Sequence, residues 1–109
     1  MIYVFDLDGT LCDTKKNEEG YWNYMGAEPY QNRIDIVNNL HDEGHTVIIE
    51  TARGCSNSGK NWDDETLRQL RKWGVRFDKL RTGVKFCADV FIDDKGVNSE
   101  QFFKDVRSL

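Results

Sequence analysis

The stretch Phe5-Asp6-Leu7-Asp8-Gly9-Thr10, FDLDGT, follows the apolar run Met1-Ile2-Tyr3-Val4 at the front of the chain. A short run of β-branched and aromatic residues reads as a strand, so the two carboxylates stand at its C-terminal end. In extended chain, residues two apart point to the same side. Asp6 and Asp8 can therefore share one pocket while Leu7 turns away. Gly9 then permits a sharp turn and brings main-chain N–H groups close to an anion.

Working outward, similar apolar runs occur at Thr46 to Ile49 in HTVIIET, at Phe77 to Leu80, and at Val90 to Ile92 in ADVFIDD. Between them lie helical spacings: Ile34, Val37 and Leu40, then Leu67, Leu70 and Trp73, with Gly44 and Gly74 placed as C-terminal stops. A last helix is predicted from about Ser99 to Val106, carrying Phe102, Phe103 and Val106. Strands alternate with helices, and the apolar runs read as too continuous for a half-solvated sheet. The expectation is an α/β fold, Rossmann-like, with a mostly parallel sheet flanked by helices on both faces. Two loops are long for such a chain, Leu11 to Pro29 with GYWNYMGAEPY and Gly54 to Asn61, GCSNSGKN; long loops in small domains are more often functional than idle.

A length of 109 residues allows one core and hardly two, and neither a repeat nor a linker divides it, so residues 1–109 read as one domain. The net charge of -4 and a pI near 5.1 argue against a nucleic-acid partner, which needs concentrated basic surface. Cys12, Cys55 and Cys87 lack CxxC spacing, so free thiols are expected and zinc is not. With neither a signal-like start nor a bilayer-length apolar run, the expected location is the cytoplasm and no membrane partner is expected.

The polar clusters fall at the strand ends. Asp6 and Asp8 follow the first run, Thr51-Ala52-Arg53 the second, and Asp93-Asp94 the last, while Lys85 leads into that last run. In an open α/β sheet the C-terminal edge is where ligands bind. Two carboxylates in one pocket call for a hard cation such as magnesium, to which Asp93 or Asp94 could add an oxygen ligand. Lys85, Thr51 and nearby N–H groups are the right types to hold phosphate oxygens.

These motifs resemble those of the haloacid dehalogenase superfamily. DLDGT is similar to its motif I, TAR at Thr51 to motif II, Lys85 to motif III, and FIDD at Phe91 to Asp94 to motif IV. KFCADVFIDDK further resembles small capless members, some of them capsular-polysaccharide or sugar-phosphate phosphatases. The gaps between motifs leave no room for a folded cap domain.

The resemblance implies a magnesium-dependent phosphomonoesterase. Asp6 would be the nucleophile forming an aspartyl-phosphate, and Asp8 would protonate the leaving alcohol and then activate water. Thr51 and Lys85 would complete the catalytic set. Gly9, Thr10, Ala52 and Arg53 would lie on the substrate, and Asp6, Asp8, Asp93 and Asp94 around the metal, with Asp93 favoured over Asp94 as direct ligand. Two residues depart from the family pattern: Phe86, where proline is frequent, and the charged Glu50 beside motif II. Arg53 reads equally well as a substrate contact or as the partner of an acidic neighbour. Tyr21, Trp22, Tyr24 and Tyr30 fit a lid, a subunit contact or a plug on the core, and His41 and His45 are given no chemistry.

The expected substrate is a sugar phosphate or similar small metabolite at an open site, which a second subunit or the GYWNYMG loop could cover. The competing readings are a phosphoacceptor or phosphate-binding module without turnover, and a nucleotide or polynucleotide phosphatase.

Overall fold

The computed structural model describes residues 1–55 and 60–107, with the side chains of Val106 and Arg107 outside that description. In chain order it contains strands β1 (Ile2–Phe5) and β2 (Cys12–Asp13), a 3-10 turn (Tyr24–Gly26), strand β3 (Glu28–Pro29) and helix α1 (Gln31–Asp42). Strand β4 (Thr46–Thr51), helix α2 (Asp63–Lys72), strand β5 (Lys79–Thr82) and helix α3 (Ser99–Arg107) follow. β1, β4 and β5 form a parallel sheet in that order, with Phe5 opposite Ile49 and Thr51 opposite Thr82. β2 and β3 make a separate antiparallel pair that closes the first long loop.

The strand order settles which face is covered. Parallel neighbours need a crossover, and crossovers are right-handed. Because β1, β4 and β5 advance across the sheet in one direction, α1 and α2 land on the same face. Phe5, Val47 and Ile49 from that face join Ile34 and Val37 of α1, Leu70 of α2 and Phe103 of α3 in one core. Arg33 of α1 reaches Glu100 of α3 across 2.8 Å, and Phe102 and Phe103 meet the Phe5 ring.

Among the described residues no helix covers the opposite face, a departure from the expectation of helices on both faces. Ile2 and Val4 are 69% and 57% exposed, and Thr46, Lys79 and Arg81 on the same side are exposed too. Strand β4 alternates accordingly, with Val47, Ile49 and Thr51 buried and Ile48 and Glu50 half-buried. The charge at Glu50 thus belongs to the solvent-facing side, where its register partner is Arg81.

Two strands differ from the sequence reading. The third begins at Lys79 rather than Phe77, because Phe77 packs on the core and Asp78 is drawn to β4: its carboxylate accepts the Val47 N–H at 2.8 Å and its own N–H reaches the Val47 carbonyl at 2.8 Å. The expected strand at Val90–Ile92 is irregular chain, with Ile92 93% exposed. An apolar triplet has no strand preference strong enough to hold without a ladder partner. The helix stops stand where expected, with Gly44 at φ +95 and Gly74 at φ +72, the left-handed conformation that ends helices. Val106, expected on the last helix face, lies within α3, with its side chain outside the described residues.

A one-faced core makes a direct prediction. Ile49→Ala should lower the unfolding free energy by about 2–4 kcal/mol, whereas Arg81→Ala should change it by less than about 0.5 kcal/mol. Denaturant titration of both variants checks this, and equal losses would contradict the arrangement.

Candidate active site

Asp6 stands one residue past β1 and Asp8 two further on, both half-buried, with Leu7 between them fully buried. The alternation read from FDLDGT therefore holds. Each carboxylate has its own cation. Asp6 Oδ1 lies 3.3 Å from Lys85 Nζ, and its Oδ2 accepts a long bond from the Thr10 hydroxyl at 3.4 Å. The Lys85 ammonium sits 4.9 Å from the centre of the Phe91 ring.

Asp8 is held by Arg53. The guanidinium Nε donates to Asp8 Oδ2 at 2.9 Å and Nη2 to Oδ1 at 2.8 Å, a bidentate fork. The Thr14 hydroxyl donates to Oδ1 at 2.5 Å. Arg53 itself is 0% exposed, and a cation so buried is stable only if its donors are used. They are: Nη1 reaches Gln69 Oε1 at 2.7 Å and Thr66 Oγ1 at 3.4 Å, and the Tyr24 ring lies against the guanidinium at 4.8 Å. Of the two readings open for Arg53, the structure shows the acidic partner.

The turn after Asp8 is as sharp as expected, with Gly9 at φ +83. Its N–H groups are committed inside the turn, however: Gly9 donates to the Cys12 carbonyl at 2.8 Å and Thr10 to the Leu7 carbonyl at 3.1 Å. Thr51, at the end of β4, is buried and its Oγ1 accepts the Arg53 N–H at 3.2 Å. The half-buried Ala52 accepts the Cys55 N–H at 2.8 Å.

Asp93 and Asp94 are exposed on irregular chain. Asp93 Oδ1 accepts the N–H groups of Lys95 and Gly96 at 2.5 and 2.6 Å, and these bonds hold its carboxyl below the usual range. Among the described residues, no group of three or more His, Cys, Asp and Glu side chains is placed to hold a metal ion. Asp8 is engaged by Arg53, Asp6 by Lys85 and Thr10, and Asp93 by its own turn.

The loops carrying Arg53 and Lys85 are tied together. Gly83 donates its N–H to the Arg53 carbonyl at 2.7 Å, and Cys55 and Cys87 stand side by side with their Cα atoms 6.3 Å apart. The two cysteines lie 32 residues apart in sequence, but parallel topology brings the ends of β4 and β5 to one edge. Cys12 remains free and buried, its thiol pushed up to about 11, chiefly by burial. Residues 56–59 of the loop after Cys55 lie outside the described residues.

Sequence reasoning missed Gln69, Thr66 and Thr14. The signal for the first two was present: both lie on the stripe of α2 that also carries Leu70, where a polar side chain needs a buried partner. Of the aromatic loop, Tyr24 covers Arg53 and meets Trp62 edge-on at 4.9 Å, whereas Tyr21 and Trp22 are exposed. The Tyr30 ring lies 4.9 Å from the Arg33 guanidinium. His41, in the last turn of α1, pairs with Asp78 at 3.3 Å.

No family model and no curated protein matches the chain. Among solved structures, it resembles the crystal structure of an MCSG target from Vibrio cholerae, with a TM-score of 0.72 and 27% identity over 98% of this chain and 94% of that one. The likeness extends over nearly the whole length of both chains and supports the α/β architecture. The name of that target carries no activity. Among the described residues, no helix is long and apolar enough to cross a membrane.

The closeness of Cys55 and Cys87 gives a second prediction. In the chain-entropy account, oxidising a pair 32 residues apart should raise stability by about 3.7 kcal/mol. Unfolding followed with a mild oxidant and with a thiol reductant measures it, with Cys55→Ser as control; an unchanged midpoint would contradict the placement of the two side chains.

Proposed function

We propose that the chain is a phosphomonoesterase of the haloacid dehalogenase type, working through an aspartyl-phosphate on Asp6, with a sugar phosphate or similar small phosphorylated metabolite as substrate. The observation that carries this reading is the 3.3 Å contact between Asp6 and Lys85. Residues on opposite sides of the chain's midpoint, singled out as parts of two separate motifs, meet just beyond the C-terminal ends of β1 and β5. That is the edge at which open parallel sheets bind ligands.

Each group then has a task. An Asp6 oxygen attacks phosphorus, the ester P–O bond breaks, and the leaving alkoxide takes a proton from Asp8. Water then attacks the same phosphorus, Asp8 accepts its proton, and the bond to Asp6 breaks to release phosphate. Lys85 screens the approach of an anionic substrate to an anionic nucleophile, and such electrostatic help is needed because phosphate monoesters are among the slowest of uncatalysed hydrolyses. Magnesium belongs to this proposal through the motif resemblance. When bound it would polarise phosphoryl oxygens and offset their charge.

A small substrate suits this site better than a nucleic acid. The chain carries 19 acidic against 15 basic side chains, and the cations nearest the site, Arg53 and Lys85, are already engaged by Asp8 and Asp6.

The test is phosphate release from sugar phosphates, nucleotides and an aryl phosphate, with magnesium or with chelator. Wild type should turn over repeatedly with magnesium, and Asp6→Asn should lose at least about a thousandfold in kcat while its thermal unfolding stays close to wild type. Stoichiometric phosphorylation without turnover would favour a phosphoacceptor module, and wild-type rates in Asp6→Asn would contradict the mechanism.

A further inference from the structure

Asp8 must direct a proton to the leaving oxygen, and a carboxylate on a turn is free to rotate about its side-chain bonds unless something fixes it. The structure supplies that restraint from the core side. Arg53 contacts both Asp8 oxygens, at 2.9 and 2.8 Å, from a seat that is itself 0% exposed. The guanidinium cannot swing away, because its third nitrogen is held by Gln69 at 2.7 Å and its face by Tyr24 at 4.8 Å. Gln69 is fixed in turn, its amide nitrogen donating to the Tyr24 carbonyl at 2.8 Å. A chain of contacts thus runs from α2 and the 3-10 turn to one carboxylate, with each of the three guanidinium nitrogens engaged.

We infer that Arg53 is a positioning residue for the proton-transfer step, fixing the direction of the Asp8 carboxyl, and that Gln69 serves by fixing Arg53. This rests on the phosphatase reading above. It assigns to the arginine of the TAR stretch a role toward Asp8 rather than toward the phosphoryl group. Lysine cannot replace it, since a single ammonium lacks the planar fork that meets two oxygens at once.

Leaving groups separate this role from a merely structural one. An alkoxide needs a well-aimed proton, whereas nitrophenolate departs without one. In kcat/KM, which reports steps through formation of the aspartyl-phosphate, Arg53→Lys should lose about 100-fold on an alkyl phosphate such as glucose 6-phosphate and less than about threefold on p-nitrophenyl phosphate. Gln69→Met, which removes the acceptor for Arg53 while leaving the arginine in place, should show the same selectivity at about tenfold. Equal losses on both esters, or losses confined to KM, would overturn the inference.

A second arm does not depend on turnover. In ¹⁵N spectra the Arg53 Nε–H signal should be slow to exchange and should move on Asp8→Asn and on Gln69→Met. A signal that exchanges freely, or that Asp8→Asn leaves in place, would show that Arg53 does not fix Asp8. A wild type that releases no phosphate from either ester would overturn the phosphatase reading and the proton-transfer role with it, while the NMR arm still decides the pairing.

Discussion

Parallel strands cannot be joined by a tight turn, and this constraint organises the molecule. Each crossover from β1 to β4 and from β4 to β5 must carry a helix, and handedness sends both helices to one face. The core gathers there, around Phe5, Val47 and Ile49. The same constraint places every strand's C-terminal end on one edge, so Asp6, Thr51 and the loop leading to Lys85 become neighbours although the chain separates them widely. The Gly83 to Arg53 bond then fastens the loops that follow β4 and β5 together. The site is thus a consequence of topology before it is a consequence of any single contact.

Within that edge, electrostatics sort the charges into pairs. Carboxylates two residues apart gain from nearby cations, and the structure supplies one to each: the half-buried Lys85 to Asp6 and the buried Arg53 to Asp8. The two pairs differ in character. A fully buried arginine with all three nitrogens engaged is a fixed support. A lysine on a flexible four-carbon stem is a point charge that can follow an incoming anion. One pair is therefore suited to holding a group still and the other to meeting a substrate.

Much of this was legible in the sequence. FDLDGT announced a strand end with paired carboxylates, the helical spacings around Ile34 and Leu70 marked two helices, and Gly44 and Gly74 marked their ends. The face assignment was not legible. HTVIIET reads as a continuous apolar run, yet Glu50 and the neighbouring charges at Lys79 and Arg81 put one side of it toward water. Val90 to Ile92 has the composition of a strand, but composition does not supply a ladder partner. Arg53 could not be assigned from its neighbours in sequence because its partners Asp8, Thr66 and Gln69 come from two other segments. The closeness of Cys55 and Cys87 was hidden in the same way, since spacing does not encode spatial proximity.

The central claim is that Asp6 carries the phosphoryl group. Protein quenched in acid during turnover of an activated aryl phosphate, digested, and read by mass spectrometry locates that group directly. The account predicts a phosphorylated peptide bearing the modification on Asp6, absent from Asp6→Asn. Phosphate found on another side chain, or steady release with Asp6 never modified, would contradict it.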